Sequence, residues 1–235
     1  MLFDYTYVIL VLPAVILALW ASAHVNSTFR RYREQYSRRG LTGAEAAQAV
    51  LRANGVTDVR VERISGSLTD HYDPRDNVIR LSDDVYSNTS TASIGVAAHE
   101  AGHALQYATG YAPIRLRSAI IPATNIGSRL AMPLILIGII FMNYGQMFVN
   151  IAYLGIACFA LSTIFQLVTL PTEFNASHRA LVAIEEGGLL DEDEMTGARK
   201  TLSAAAMTYV AALAVSLAQL LRLLLLVSGG RGRRR

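Results

Sequence analysis

Long apolar stretches alternate with polar stretches along this chain, and this alternation predicts its outline. The apolar runs cover residues 2–23, 130–142, 148–170 and 204–227. About 20 apolar residues suffice to cross the hydrocarbon core of a membrane as a helix. The second run is short, so it is expected either to borrow residues from the polar turn at 143–146 or to thin the bilayer locally. The turn itself predicts a helical hairpin with the third run. The pattern therefore indicates a mostly α-helical protein with about four membrane segments.

The first apolar run is predicted to be an uncleaved anchor. Its end, residues 21–23 (Ala-Ser-Ala), imitates a signal-peptidase site, so a cleaved signal peptide is the alternative. A secretory signal carries its cations before the apolar run. Here Asp4 precedes the run, and three arginines follow it at positions 30, 31 and 33. Cationic flanks stay in the cytosol, which puts the N-terminus outside.

Charge also predicts the orientation of the remaining segments. Thirteen arginines lie from His24 to Arg129, so this stretch is expected in the cytosol. The hairpin returns residues 171–203 to the same side. The last run carries Arg222 near its end, and four complete crossings would place the basic tail at 231–235 outside, against the usual charge rule. A re-entrant or surface helix would keep that tail inside, and both alternatives stay open.

The polar stretches have the pattern of a small α+β portion. Residues 42–45 (Thr-Gly-Ala-Glu) form a capping box that begins a helix ending at Gly55. Strands are predicted at 58–64 and 78–81, separated by the turn-rich segment 70–77.

A further helix is predicted to begin at Ser90 or Ser93 and to end at Gly110. Downstream, Gly187 and Gly188 end another helix, and a cap at residues 191–194 begins the last one. The predicted elements thus alternate between membrane helices and a compact polar region.

Composition supports a membrane protein and gives no support for nucleic-acid binding. The chain is 52% hydrophobic with a net charge of +3, and no aromatic residues interleave with basic ones. The single cysteine, Cys158, lies inside an apolar run, so no disulfide framework exists.

Residues 96–106 (Val-Ala-Ala-His-Glu-Ala-Gly-His-Ala-Leu-Gln) bring metal-binding and acid–base groups together on one helix. His99 and His103 are displaced by about 40° and about 6 Å, so both imidazoles can reach one ion. Glu100 lies about 100° from His99, beside the ligands, where it can accept a proton from a metal-bound water. A chance arrangement is the alternative, but a charge on a helix of small residues is costly without a function.

A catalytic zinc site usually has three protein ligands and a water, so a third ligand must lie elsewhere. The downstream candidates are Glu173, His178, Glu185, Glu186 and the acidic cluster 191–194. Glu173 directly follows the third apolar run and, on a helix from Pro171, shares its face with small residues. His178 lies about 140° away, and the remaining acids fit a solvated helix end and a helix cap.

These motifs resemble the YugP family of bacterial zinc-dependent membrane proteases, within the thermolysin-like group that adds a glutamate to His-Glu-x-x-His. The resemblance covers nearly the whole chain and rests on the anchor and on residues 68–74, 80–82, 98–106 and 173–177. It implies a zinc-dependent metalloendopeptidase with His99, His103 and Glu173 as ligands. Related membrane proteases commonly have an aspartate four residues after the third ligand, where this chain has Ser177.

Several other polar residues are candidates without a firm rank. Ser177 is a candidate outer partner of a ligand histidine, and the candidate transition-state donors are His178, Arg179 and Tyr209. His71 beside Asp70 is either functional or, more simply, part of a locally hydrogen-bonded turn. Residues 77–81 are either a sheet edge that pairs with substrate or an inner strand.

Together these features predict a multi-pass protein of the cell membrane, with a small zincin-like portion and its active site on the cytosolic side. Glu100 would activate a zinc-bound water to hydrolyse membrane proteins or peptides. The alternatives are a zinc-binding scaffold or chaperone, and a zinc hydrolase of lipid-like amides or esters. The bilayer is the expected partner, and the oligomeric state stays open. The predicted regions are the anchor 1–24, the cytosolic portion 25–128, the hairpin 129–170, the cytosolic helix 171–203, and the last membrane helix with its basic tail 204–235.

Overall fold

Helices dominate the structure, a computed structural model that describes residues 5–232. In chain order the elements are α1 (Leu12–Arg33), α2 (Gly43–Ala53), β1 (Arg60–Ile64), β2 (His71–Asp73), β3 (Val78–Ser82), α3 (Asp83–Tyr86), α4 (Thr91–Ala108), α5 (Ala112–Phe141), α6 (Gln146–Glu186) and α7 (Met195–Gly232). A π-helical turn precedes α1, and a 3₁₀ turn joins α5 to α6. The predicted mostly helical fold with a small sheet is confirmed. The tail arginines 233–235 lie outside the described residues.

Four helices are long and apolar enough to cross a membrane. They cover Tyr7–Arg33, Ala112–Tyr144, Gln146–Glu186 and Met195–Gly229, with mean hydropathies between 1.7 and 2.3. The second of them begins at Ala112, well before the apolar run predicted at 130–142. The residues that lengthen this candidate segment therefore lie mainly before the predicted apolar run. From the predicted polar turn it takes only the residues of the 3₁₀ turn.

Helix α6 continues without a break through Pro171, so the expectation that a separate helix begins there was wrong. A proline inside a helix lacks an amide donor and leaves the carbonyl four residues earlier without its usual partner. Apolar helices tolerate such prolines where neighbouring groups support the helix, and α5 contains two more, Pro122 and Pro133. One helix therefore carries both the third apolar run and Glu173.

The three strands form a sheet in the order β1–β3–β2, with β1 parallel and β2 antiparallel to β3. Strand β2 lies within the segment 70–77, in which only turns were predicted. Its three residues are too few to show the alternation that reveals a strand. Strand β3 lies between the other two strands, so of the two alternatives for residues 77–81 the inner strand is the one observed. Strand β2 is an edge strand of the sheet.

Side chains cap the helices where the sequence indicated. Thr42 Oγ1 accepts the Glu45 amide at 3.2 Å, and Glu45 Oε2 accepts the Thr42 amide at 2.8 Å, which completes the capping box. Ser90 Oγ accepts the Ser93 amide at 3.2 Å at the start of α4. Gly188, with φ of +55°, follows the end of α6 in a conformation that glycine adopts without strain. These ends fix the length of the helices around the sheet.

The chain folds into two compact units. One comprises Ala21–Arg115 and Pro171–Thr208 and is called the sheet unit here. Its core is rich in alanine, including Ala46 and Ala47 of α2 and Ala97 and Ala101 of α4, all fully buried. Small side chains let neighbouring helices approach closely. The dense packing that results compensates for the small apolar area that each alanine buries.

The other unit comprises the residues up to Trp20, Leu116–Leu170 and the chain from Tyr209. Its core contains residues of α5, α6 and α7, namely Ile135, Val149, Ala152, Ile156, Leu223 and Val227. Many large apolar side chains of the same helices are exposed, among them Leu136, Ile140, Leu154, Leu167 and Leu221. Helices that are apolar on their outer as well as their inner faces are typical of membrane segments.

Helices α4 and α6 touch through their backbones inside the sheet unit. A Cβ atom added to Gly102 would lie 2.5 Å from the carbonyl oxygen of Ala176. Only glycine permits this approach, because any side chain would collide with the backbone of the facing helix.

We expect Gly102→Ala to lower the free energy of unfolding by about 1–3 kcal/mol, because the added methyl group overpacks this contact. Gly229→Ala, at a helical position with nothing within 4 Å, is the matched control and should be neutral or slightly stabilising. Denaturant unfolding in detergent measures both. Equal stability of Gly102→Ala and wild type would contradict the close approach of the two helices.

Candidate metal centre and active site

Helix α4 presents the two histidines of the motif on one side. Their ring centroids are 4.7 Å apart, and the ring planes stand at 83° to each other. The small residues between them, Ala101 and Gly102, are buried against neighbouring elements, which holds the helix firmly. The spacing of four residues therefore brings His99 and His103 together as the sequence predicted.

Glu173 approaches the histidines from α6. Its side chain is only 3% exposed, and its Oε2 atom lies 3.3 Å from His99 Nε2 and 3.4 Å from His103 Nε2. One potential ligand atom of each of these three residues lies within 4.8 Å of the others. The structure thus brings the third predicted ligand to the other two.

The separations of these atoms suit a tetrahedral zinc ion. Nitrogen and oxygen ligands lie about 2.0–2.1 Å from zinc, so two of them at a tetrahedral angle are about 3.3 Å apart. The two measured separations match this value. Glu173 Oε2 is also a buried atom without a hydrogen-bond partner among the described residues. A buried unpaired carboxylate oxygen is costly, and a cation would satisfy it.

Each ligand histidine has a hydrogen-bond partner on its other ring nitrogen. His99 Nδ1 lies 3.1 Å from Ser177 Oγ, and His103 Nδ1 lies 3.0 Å from Gln106 Oε1. Such partners orient a metal-binding imidazole and leave Nε2 for the ion. Both partners are neutral groups, in contrast to the aspartate common at the position of Ser177.

The surroundings of the site favour positive charge. Burial alone would lower the pKa of His103, but the neighbouring carboxylates of Glu173 and Glu100 outweigh it and raise that pKa overall. An environment that stabilises an imidazolium also stabilises a bound cation. The residues present therefore fit a zinc ion in both geometry and charge.

Glu100 is buried beside the cluster without belonging to it. Its Oε2 atom accepts the backbone N–H of Tyr72 at 2.9 Å. Because Tyr72 lies in β2, this amide points away from β3 at the free edge of the sheet. The carboxylate is thus attached to the edge strand of the sheet.

Asp70 fixes the beginning of β2. Its carboxylate accepts the Ser82 amide at 2.7 Å and lies 3.0 Å and 3.1 Å from the Ser82 hydroxyl. Burial raises the pKa of Asp70, and the charge of Glu100 acts in the same direction. His71, in contrast, is exposed, and its Nδ1 lies 2.8 Å from the local Thr69 carbonyl.

Two of the remaining candidates, His178 and Arg179, line a different part of the sheet unit from the three ligands. His178 and Arg179 line a groove of about 230 Å³ on the sheet unit, and none of the ligands lines it. Arg179 donates to Asn175 at 2.8 Å and stacks over the Tyr111 ring. Tyr209 belongs to the other unit. Among the four lower-ranked candidates, Ser177 contacts a ligand, His99.

Sequence reasoning assigned no role to Gln106, although its side chain is fully buried next to the site. The signal was present, because Gln106 follows His103 by three residues and so lies on the same face of α4. Its other contacts, on α6, depend on the tertiary fold and are invisible in the sequence.

Comparison with known proteins agrees with this geometry. Residues 7–228 match the family described as "putative neutral zinc metallopeptidase". The chain belongs to this family. It is also 45% identical, over 225 residues, to a Bacillus subtilis (strain 168) protein named "Putative membrane protease YugP", covering 96% of this chain and 98% of that protein. No solved structure matches.

Membership of this zinc metallopeptidase family supports the predicted resemblance and identifies zinc as the metal that the cluster suits. The matched residues include both α4 and α6, so the family covers the helices that supply all three candidate ligands.

We expect the purified protein to contain about one zinc ion per chain and Glu173→Ala to bind zinc at least 100-fold more weakly. Removing a direct ligand should weaken zinc binding by more than the 10- to 100-fold that is typical when a hydrogen-bond partner of a ligand is removed. Glu185→Ala, on the exposed end of the same helix, is the matched control and should keep the affinity of wild type. Competition with a chromophoric chelator measures both. Unchanged affinity in Glu173→Ala would exclude this residue as a ligand.

Proposed function

We propose that this protein is a zinc metalloendopeptidase of the cell membrane that hydrolyses membrane proteins or peptides near the cytosolic membrane surface. The position of Glu100 is the observation that supports this most. Its carboxylate lies beside the three candidate ligands and is bound to the Tyr72 amide instead of joining them. A structural zinc site has no need of such a base, whereas hydrolysis requires one.

The residues of the site have separate roles in the proposed reaction. His99, His103 and Glu173 hold the ion, which when bound supplies a Lewis acid that polarises a peptide carbonyl and acidifies water. Glu100 takes a proton from the attacking water and delivers it to the nitrogen of the leaving amine. Since the Tyr72 amide holds Oε2 of Glu100, the other carboxylate oxygen is the one that accepts the proton.

A peptide substrate agrees better with the strand edge than a lipid-like amide or ester does. Strand β2 lies at the edge of the sheet next to Glu100, which already binds its Tyr72 amide, and extended peptides commonly add to such edge strands through the remaining backbone groups. A lipid-like molecule lacks the repeating amides that this edge would bind. The scaffold alternative gives the buried carboxylate of Glu100 no role beyond its hydrogen bond with the Tyr72 amide.

The apolar helices support a location at the membrane. Glu173 follows the third apolar run by three residues on the same continuous helix, so the site is close in sequence to a candidate membrane segment. The Bacillus relative is named a membrane protease. The arginines from His24 to Arg129 favour the cytosolic side for the sheet unit.

Glu100→Gln should abolish nearly all peptide hydrolysis while zinc content and fold stay unchanged. The amide has the shape of the carboxylate but cannot accept the proton, and a general base contributes about 10²- to 10⁴-fold to the rate. Turnover of a detergent-solubilised membrane protein, followed by gel and mass spectrometry, is the measurement.

Glu192→Gln is the control for this experiment, because Glu192 is an exposed acid far along the chain from the motif. It should hydrolyse at the rate of wild type. A zinc-loaded Glu100→Gln protein with undiminished turnover would remove Glu100 from the mechanism. Cleavage of lipid amides or esters in place of peptides by wild type would support the alternative hydrolase.

The proposed topology can be tested with single cysteines in a Cys158→Ser background. Thr57→Cys and Glu192→Cys are exposed positions in the two parts of the sheet unit, and Tyr144→Cys lies at the exposed turn between α5 and α6. An impermeant thiol reagent on intact cells should label position 144 alone. Positions 57 and 192 should react only after the membrane is opened.

Labelling of positions 57 and 192 from opposite sides of the membrane would contradict the proposed site, because His99 and Glu173 could then not meet. Labelling of both from outside would keep the site intact but reverse its orientation. These two results are distinguishable with the same three variants.

A further inference from the structure

Gln106 joins the two helices that carry the candidate ligands. Its side chain is fully buried and makes hydrogen bonds with both amide atoms. Oε1 lies 3.0 Å from His103 Nδ1, and Nε2 donates to the Thr172 carbonyl at 2.7 Å and to Asn175 Oδ1 at 3.0 Å. Every hydrogen-bonding end of this amide is therefore directed at α6 or at a ligand.

Two independent contacts determine the orientation of the Gln106 side-chain amide, that is, the positions of its oxygen and its nitrogen. The Thr172 carbonyl can only accept a hydrogen bond, so the group facing it must be the NH₂ of Gln106. Asn175 Oδ1 accepts Arg179 Nε at 2.8 Å, and because a guanidinium only donates, Asn175 also presents an oxygen to Gln106. Both contacts require Nε2 on the side of α6 and Oε1 on the side of His103.

This orientation determines the tautomer of His103. The oxygen of Gln106 can only accept, so His103 Nδ1 must carry a proton. In the neutral imidazole the other nitrogen, Nε2, is then unprotonated and offers its lone pair. Nε2 is the atom that lies 3.4 Å from Glu173 Oε2, within the cluster of ligand atoms.

The opposite tautomer would compete directly with metal binding. If Nε2 carried the proton, it would face the Glu173 oxygen and could donate to it, since only 3.4 Å separate the two atoms. In that arrangement His103 Nε2 and Glu173 Oε2, two of the three candidate ligand atoms, would bind each other instead of an ion. A buried acceptor on Nδ1 removes this competing state, since an unpaired Gln106 oxygen would be costly.

We propose that Gln106 is a positioning residue for zinc: it holds His103 in the tautomer whose Nε2 can bind the ion. The proposal rests on the zinc site of the proposed function but does not depend on the reaction that the site catalyses. It predicts that zinc affinity depends on the acceptor that residue 106 offers to His103, and not on the connection between the helices.

Three variants separate these two roles. Gln106→Met keeps the size of the side chain but offers His103 no effective acceptor, and zinc should bind about 10- to 100-fold more weakly. Gln106→Glu restores an acceptor but loses the donor to Thr172, and its affinity should stay within about threefold of wild type or exceed it. Asn175→Ala weakens the connection between the helices but leaves the Thr172 contact to orient Gln106, so its affinity should also stay within about threefold.

Zinc dissociation constants come from chelator competition in detergent, on variants whose circular dichroism matches that of wild type. Wild-type affinity in Gln106→Met, or an equal loss in Gln106→Met and Gln106→Glu, would overturn the proposal. Failure of the wild-type protein itself to bind zinc would instead contradict the proposed function.

A measurement on the wild type decides the matter if Gln106→Met does not fold. In zinc-free protein labelled with ¹⁵N-histidine, the resonances of His103 are identified by their loss in His103→Ala. At a pH at which the ring is neutral, a proton on Nδ1 and none on Nε2 is the expected result. A neutral ring with its proton on Nε2 would overturn the assigned role of Gln106.

Discussion

The candidate site depends on the direct contact between the backbones of α4 and α6. At Gly102 a single added carbon would lie 2.5 Å from the carbonyl oxygen of Ala176, so the two helices approach more closely there than any side chain would allow. This contact lets Glu173 reach the histidines, although the motif and Glu173 are about 70 residues apart in sequence. The alanine-rich core serves the same purpose, because small side chains keep the neighbouring helices close.

Around this contact, each polar group of the site is held by a different part of the chain. Ser177 and Gln106 orient the histidines, while the amide of Tyr72 at the sheet edge holds Glu100. The carboxylate of Asp70 in turn ties β2 to the end of β3 through Ser82. The candidate ligands, Glu100 and the edge strand are thus each fixed by their own hydrogen bonds, and the outer partners of the histidines add no charge. The net charge of the ion and its ligands then depends on Glu173 alone.

Local patterns made much of this arrangement predictable. The pairing of His99 with His103 follows from a spacing of four residues on a helix, and the caps at Thr42 and Ser90 follow from short-range hydrogen bonds. Strand β2 was missed because three residues carry no periodicity, and the continuity of α6 was missed because Pro171 normally ends a helix. In both cases tertiary contacts override a local preference, and no single sequence displays those contacts.

The continuity of α6 through Pro171 also constrains how this chain can vary. Each residue of a helix turns the next by about 100°, so the angular position of Glu173 is linked to that of every apolar residue before it. Inserting or deleting one residue between Gln146 and Glu173 would turn either the carboxylate or the apolar face away from its neighbours. The length of this stretch is therefore set by rotational phase, and its sequence tolerates substitution more easily than a change of length.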